Sequence, residues 1–195
     1  WRGIAYPVSE RLTTLINAKK NCNQKHLVLV LNDYDPFEAM GGGGTRIRGL
    51  YKAVGSYSPV VFISFSGDGT IASRRIDTHI AVINVPKTAQ HVADLTRVNT
   101  RFHVSADDII ASCNCLANSW LDAVYRVLRQ FARCIIAEHC YLAKLPLAWG
   151  DRFVYSSQNN ETELKNRLLE WHPLKSELLP EVEAVERLAV ERSAA

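Results

Sequence analysis

Long apolar runs are what this sequence most plainly lacks. No stretch approaches the roughly 18 residues that span a bilayer, and the N-terminus carries no signal-peptide pattern. A soluble, cytoplasmic protein is therefore expected, with peripheral contact at a membrane surface left open. Paired cysteine spacing is missing too. Cys22, Cys113, Cys115, Cys134 and Cys140 make an odd number of five with no C-x-x-C repeat, which excludes a zinc-ribbon or disulfide scaffold and reads as reduced, structural thiols. Charge of one sign is scarce: the net charge of +3 is dispersed, with no basic run interleaved with aromatics, so no nucleic-acid partner is expected. No linker divides the 195 residues, and 47% hydrophobic content suffices for one sizeable core,. The chain opens at Trp1 without methionine and stops at Ala195 inside a helical pattern; both ends are expected to be cuts in a longer polypeptide.

What the sequence does have is concentrated in residues 26–54, HLVLVLNDYDPFEAMGGGGTRIRGLYKAV. The run over 27–31 has no polar residue, as in a strand covered on both faces at the centre of a parallel sheet. After Thr45, the residues Ile47, Leu50, Tyr51 and Val54 recur at helical spacing. Between them lie four consecutive glycines, which are costly to order. A bare backbone at a helix N-terminus, where free N–H groups and the positive end of the dipole point outward, suits a phosphate. Arg46 and Arg48 oppose that dipole, and a bound anion would account for them. The alternative is a flexible surface loop with solvated arginines. Two familiar phosphate loops do not fit: Thr45-Arg46 is not the Lys-Ser/Thr of a Walker loop, and no acid ends the next strand as a dinucleotide fold requires, since Asp68 sits inside a Gly-Asp-Gly turn.

Around this unit the pattern alternates. Residues 1–25 carry a short helical lead-in (Val8, Leu12, Leu15, Ile16), and residues 26–195 form the domain. Strands are predicted at 59–65, 78–85, 133–138 and 152–157, with a glycine-containing charged turn at 66–77. Residues 86–104 allow a helix near 89–98 and an extended piece at 101–104. Ser105, with Asp107 and Asp108 behind it, starts a short helix. A longer helix over 119–131 shows Trp120, Val124, Val127 and Phe131 on one face. Asn160 caps a helix with apolar face Leu164, Leu168 and Trp171, ended by Pro173; a last helix begins at Pro180 and runs to about Arg192. This alternation predicts an α/β fold, a doubly wound parallel sheet of Rossmann-like type.

Ligands in such sheets bind beyond the carboxyl ends of the strands. The polar residues there are Asn32, Asp33 and Asp35, then Glu138 and His139, then residues 156–161. His139 titrates near neutrality and suits proton transfer or charge stabilisation, although a lone histidine is also a common structural residue. Glu138 is either its catalytic companion or half of an ion pair with a nearby arginine. Asn159 and Glu161 either bind substrate or help to cap the last crossover.

Three segments in order, GGGGTRIRGLYKAVG, IIAEHCYLA and VYSSQNNETELKNRLL, resemble the N-terminal domain of GT-B glycosyltransferases, specifically the family 4-like group (glycosyl transferases group 1). The last segment looks like that family's aromatic, small residue, then H/Q-N-x-E with a lysine four residues on, here Gln158, Asn159, Glu161 and Lys165. The resemblance implies two Rossmann-like domains across a cleft. This one, the N-terminal half, mainly holds a glycan or lipid-linked acceptor, and a C-terminal domain of the same polypeptide holds the nucleotide-sugar donor. It implies that Gly43 and Gly44 approach the donor diphosphate, which adds to the anion site expected at Gly42 and Arg46 from the glycine run itself, and that His139 lies near the transferred sugar. It further implies retained anomeric configuration and no metal or other cofactor. Nothing here matches the family's second domain; Glu181, Glu183, Glu186 and Glu191 fall in the helix that precedes the interdomain linker. The expected function is thus the acceptor half of an enzyme of surface polysaccharide, lipopolysaccharide or glycan synthesis, inactive as a fragment. The alternative is a non-catalytic binding or scaffold domain that kept the half-fold.

Overall fold

The computed structural model describes residues 27–67, 69–99 and 105–194. The lead-in over 1–25 with Cys22, the extended piece at 101–104 and Asp68 lie outside the described residues. The strands are β1 (Leu27–Leu31), β2 (Val60–Ser66), β3 (Ala72–Arg75), β4 (Ile80–Pro86), β5 (Ala132–Glu138) and β6 (Val154–Ser156). The helices are α1 (Gly42–Gly55), α2 (Ala89–Asn99), α3 (Asp107–Asn114), α4 (Ser119–Leu128), α5 (Lys144–Ala148), α6 (Glu161–Leu168) and α7 (Lys175–Arg192). The strands form one six-stranded sheet in the order β3-β4-β2-β1-β5-β6. All neighbours pair parallel except β3, which runs antiparallel to β4.

β1 is buried along its whole length, as its unbroken apolar run requires, and its alternate residues serve opposite faces. Val28 and Val30 pack with Ile47 and Tyr51 of α1 and with Phe62 and Val82. Leu27, Leu29 and Leu31 join the larger core that Ile109, Tyr125, Leu128, Val182 and Val185 close from the other side. With helices on both faces of a mostly parallel sheet, the fold is the doubly wound, Rossmann-like α/β architecture. Among the described residues no helix is long and apolar enough to cross a membrane.

Several local expectations are corrected. The charged turn at 66–77 contains β3, whose four residues are all exposed; it is an edge strand made by pairing to β4, so no apolar alternation marks it. Arg74 fastens it to the β1–α1 loop, 2.7 Å from Asp35 and 3.2 Å from Glu38. In α4 the buried face is Leu121, Val124, Tyr125 and Leu128, and Trp120 and Val127 are exposed. Asn118 sets that phase by accepting from the N–H groups of Trp120 and Leu121, both at 3.0 Å, while donating to Pro86 O at 2.9 Å. In α6 the covered positions are Glu161 and Lys165, which meet the charged partners His139 and Asp108, while Leu168 and, beyond the helix end, Trp171 are exposed and Leu169 enters the core. Helix α7 starts before Pro180 and carries it inside. One missing hydrogen bond costs about 3 kcal/mol; burying Leu178, Val182, Val185 and Ala189 outweighs it, at ~1.5–3 kcal/mol for each larger side chain.

Candidate functional site

From β1 the chain winds outward through β2 to β4 on one side and through β5 to β6 on the other, so the winding reverses between β1 and β5. Leu31 pairs with Ala137 across that boundary. The next residues, Asn32-Asp33 and Glu138-His139, therefore emerge side by side at the switch point, where open α/β sheets bind ligands. A cleft of about 360 Å³ opens there, walled by Asp33, Tyr34, His139, Tyr141, Glu161 and Lys165 among others.

His139 is held in an unusual backbone conformation, φ +62°, which among the described residues no other non-glycine shares. Such a strained turn persists only when its surroundings fix it. Its Nδ1 lies 3.3 Å from Oε1 of Glu161, and its ring is flanked by Tyr34 and Tyr141, with centroids 6.1 and 6.2 Å away. Burial pulls the imidazole pKa down, but the Glu161 hydrogen bond and the charges of Asp33, Glu161 and Glu138 outweigh it, and the net shift is upward. Glu161 is the mirror case: burial pushes its carboxyl up, yet hydrogen bonds with His139, Tyr141 and Asn159 leave it below the usual value. Tyr141 donates to Oε2 of Glu161 at 2.9 Å and Asn159 to Oε1 at 3.3 Å. The family-like Q-N-x-E segment thus delivers Asn159 and Glu161 to His139. Its lysine, Lys165, forms an ion pair with Asp108 of α3 at 2.5 Å.

Asp33 stands apart from these pairs. Burial pushes its carboxyl from 3.8 up to about 6, against a lowering pull from His139, and its Oδ1 is buried without a hydrogen-bond partner.

The glycines lie in the first turn of α1 rather than in a loop before it. Gly41, at φ +124°, is the cap residue and places no side chain on the helix end. A β-carbon on Gly43 would come 3.2 Å from both the Tyr34 hydroxyl and Gln158 Oε1, and one on Gly44 would lie 3.0 Å from the Ala39 carbonyl oxygen. Gly44 is thus required by the packing of the preceding loop, whereas at Gly43 an added carbon meets only the ends of two side chains; Gly42 meets nothing within 4 Å. The contrast with α6 is instructive: there Glu186 accepts from the N–H groups of Glu161 and Thr162 at 2.7 and 2.8 Å, and Asn160 accepts from Glu163 at 3.0 Å. The end of α6 is closed by the protein itself, whereas no side chain caps α1.

The arginines divide. Arg48 donates to the carbonyls of Pro36 and Ala39 at 2.7 and 2.9 Å, so the β1–α1 loop accounts for it. Arg46 is 44% exposed and reaches only long contacts, Glu138 at 3.4 Å and Ser156 at 3.5 Å. Glu138 lies beneath α1: it accepts from the Tyr51 hydroxyl at 2.7 Å, from Arg46, and from Gln158 at 3.4 Å. This geometry makes Glu138 an organiser of α1 and the Gln158 loop. Among the described residues no group of three or more His, Cys, Asp and Glu side chains is arranged to hold a metal ion.

Sequence reasoning passed over Tyr34, Tyr141 and Asp108 as site residues. Asp108 carried only a helix-start signal, and its use by Lys165 joins positions 57 apart in the chain. Asp33 was visible as a polar residue at a strand end, but nothing local separated it from Asp35, which the structure spends on Arg74 and Asn84.

No protein-family model matches the chain, and no curated protein matches it in sequence. Solved structures of similar course exist at low identity. A trehalose-6-phosphate protein from E. coli bound with UDP-2-fluoro glucose aligns with 80% of this chain and 38% of its own, at 16% identity and TM-score 0.44. An α,α-trehalose-phosphate synthase (UDP-forming) from Burkholderia xenovorans in complex with glucose-6-phosphate aligns over the same shares at 17% identity and TM-score 0.44. The apo structure of OtsA aligns with 86% of this chain and 42% of its own, at 16% identity and TM-score 0.45. The chain thus spans about two fifths of the length of the structures it resembles.

Proposed function

We propose that this chain is the acceptor-side half of a nucleotide-sugar-dependent glycosyltransferase of GT-B type. The observation that carries the reading is the uncapped, glycine-lined start of α1 lying beside a cleft that holds an ion-paired histidine, both at the reversal of the sheet. Tyr34 joins the two, since it lines the cleft and stands over Gly43. The three family-like segments supply residues to this one place.

In this reading the donor diphosphate rests against the first-turn N–H groups of Gly42, Gly43 and Gly44, whose dipole favours negative charge. Arg46, loosely tied to Glu138 and Ser156, swings onto the phosphate as charge develops on the leaving group. The helix end and this arginine do what a metal ion does in other transferases, and by the family resemblance the anomeric configuration is retained. His139, whose hold on a proton Glu161 strengthens, faces the transferred sugar; Asn159 donates to Glu161. The acceptor, a glycan or lipid-linked saccharide, enters from the cleft, and a C-terminal domain of the same polypeptide supplies the rest of the donor site.

The test is nucleoside diphosphate release by the full polypeptide carrying this chain, incubated with UDP-, GDP- and ADP-linked sugars and a panel of saccharide acceptors. Acceptor-dependent release with at least one donor is expected. Saccharide binding with no release from any donor would overturn the enzymatic reading in favour of a binding domain.

A further inference from the structure

Asp33 and His139 reach the cleft from adjacent strands, and each brings one polar atom left unsatisfied among the described residues. Oδ1 of Asp33 and Nε2 of His139 are both buried and without a hydrogen-bond partner. Leaving such atoms unpaired is costly, and the two residues wall the same cavity. A ligand group that satisfies both at once explains the arrangement better than two separate defects.

The hydrogens decide which group. Nδ1 of His139 faces the Glu161 carboxylate at 3.3 Å, so Nδ1 carries a proton; the negative surroundings favour a second proton on Nε2, which is then a donor. Oδ1 of Asp33 is an acceptor. One atom that accepts from the first and donates to the second is a hydroxyl oxygen. A phosphate or carboxylate would take the histidine proton but meet the charge of Asp33. An ammonium would suit Asp33 but meet the imidazolium. The remaining charges on the wall are already matched, Asp107 with Lys87 at 3.8 Å and Asp108 with Lys165 at 2.5 Å, and leave this balance unchanged. The ring of Tyr34, partly exposed on the cavity wall beside His139, offers an apolar surface to the carbon skeleton of a sugar.

We propose that Asp33 and His139 form a hydroxyl-selective clamp that receives one ring of a neutral sugar or cyclitol and rejects phosphorylated, carboxylated or aminated rings at that position. The clamp rests on the glycosyltransferase reading only for the origin of the hydroxyl, which belongs either to the transferred sugar of the donor or to the acceptor ring.

The full polypeptide is titrated by calorimetry and ligand-observed NMR with glucose, mannose and myo-inositol, with glucose 6-phosphate, glucuronic acid and glucosamine, and with UDP- and GDP-linked neutral sugars against UDP and GDP alone. At least one neutral ring should bind tenfold or more tightly than its charged analogues. Asp33→Asn should weaken neutral binding at least tenfold and narrow the discrimination against the phosphate, an effect that a purely structural aspartate would not produce. Loss of free-sugar binding in Asp33→Asn assigns the clamp to the acceptor; loss only of the advantage of nucleotide sugar over bare nucleotide assigns it to the donor. Preference for a charged ring, no saccharide binding at all, or neutral binding unchanged in folded Asp33→Asn and His139→Asn would overturn the clamp. Selective neutral binding without any sugar transfer would leave the clamp standing and remove the enzymatic reading instead.

Discussion

Glu186, two thirds of the way along α7, fixes the start of the helix that carries Glu161. Its two carboxylate oxygens accept from the backbone N–H groups of Glu161 and Thr162 at 2.7 and 2.8 Å. The histidine's partner is therefore positioned by the last helix of the chain. Glu186→Ala should lower unfolding free energy by about 1–2 kcal/mol, the usual cost of a lost helix cap, and Glu186→Gln by roughly half as much, since one acceptor oxygen survives. Urea denaturation checks both; equal stability of wild type and Glu186→Ala would mean that water caps α6 just as well.

The glycines of α1 make a test in which the sign changes with position. Gly49 is exposed, inside the helix, with nothing within 4 Å of an added β-carbon, so Gly49→Ala should stabilise by about 1 kcal/mol. At Gly44 the same methyl would sit 3.0 Å from a backbone carbonyl, and Gly44→Ala should destabilise by ~1–3 kcal/mol. Gly43→Ala meets only the ends of two side chains, Tyr34 and Gln158; stability should stay within about 0.5 kcal/mol, while Gly43→Val in the full polypeptide abolishes activity. Undiminished turnover in Gly43→Val would remove the α1 end from the donor site.

These positions show what the sequence made legible. The unbroken run of β1, the strand–glycine–helix unit and the alternation that follows were enough for the sheet and its covered faces, because burial on both sides leaves no polar residue in a central strand. Chain order also put His139, Asn159 and Glu161 just beyond strand ends, and the structure brings these three side chains together. What stayed hidden depends on contacts between distant segments. β3 exists by pairing to β4, and the phase of α4 was misjudged because Trp120 and Val127 look like core residues until Asn118 fixes the helix start. Glu138, expected as a catalytic companion of His139, is also tied to α1 by the Tyr51 hydroxyl 2.7 Å away, a contact that no local pattern announces. The covered face of α6 was unreadable because its buried positions are Glu161 and Lys165, which no apolar periodicity marks.

Asp33 offers a trade between stability and binding. Its folded carboxyl is pushed by burial from 3.8 up to about 6, so between those values the folded chain holds more of the proton than the unfolded one. Its contribution to stability therefore falls as pH rises through that window and is fully unfavourable above it. Asp33→Asn should be neutral near pH 3 and stabilising by about 1–3 kcal/mol near pH 8. Denaturation curves at the two pH values decide it; a variant that is less stable than wild type at pH 8 would show that Asp33 supports the fold and is not held in reserve for a ligand.

His139 carries the sharpest prediction, because its stability and activity effects have different pH signatures. Its folded pKa is raised above 6.5, so its favourable contribution is complete below 6.5 and disappears as pH climbs through the folded value,. The lowered pKa of Glu161 gives the opposite edge: that contribution is present above 4.5 and lost as pH falls through the lowered value,. The pair is strongest between these limits. Asparagine is the suitable replacement, since it tolerates the left-handed backbone that His139 occupies and leaves the turn unstrained. The melting-temperature deficit of His139→Asn should be largest between pH 4.5 and 6.5 and shrink above. In the full polypeptide kcat should fall by about 10² if the imidazolium steadies charge in the transition state. Wild-type kcat should itself decline as pH rises through the raised pKa, and the variant's should not. A variant that shows the stability deficit but keeps kcat within about twofold, ~0.4 kcal/mol in the barrier, would make His139 a prop for the turn and leave the chemistry to other residues.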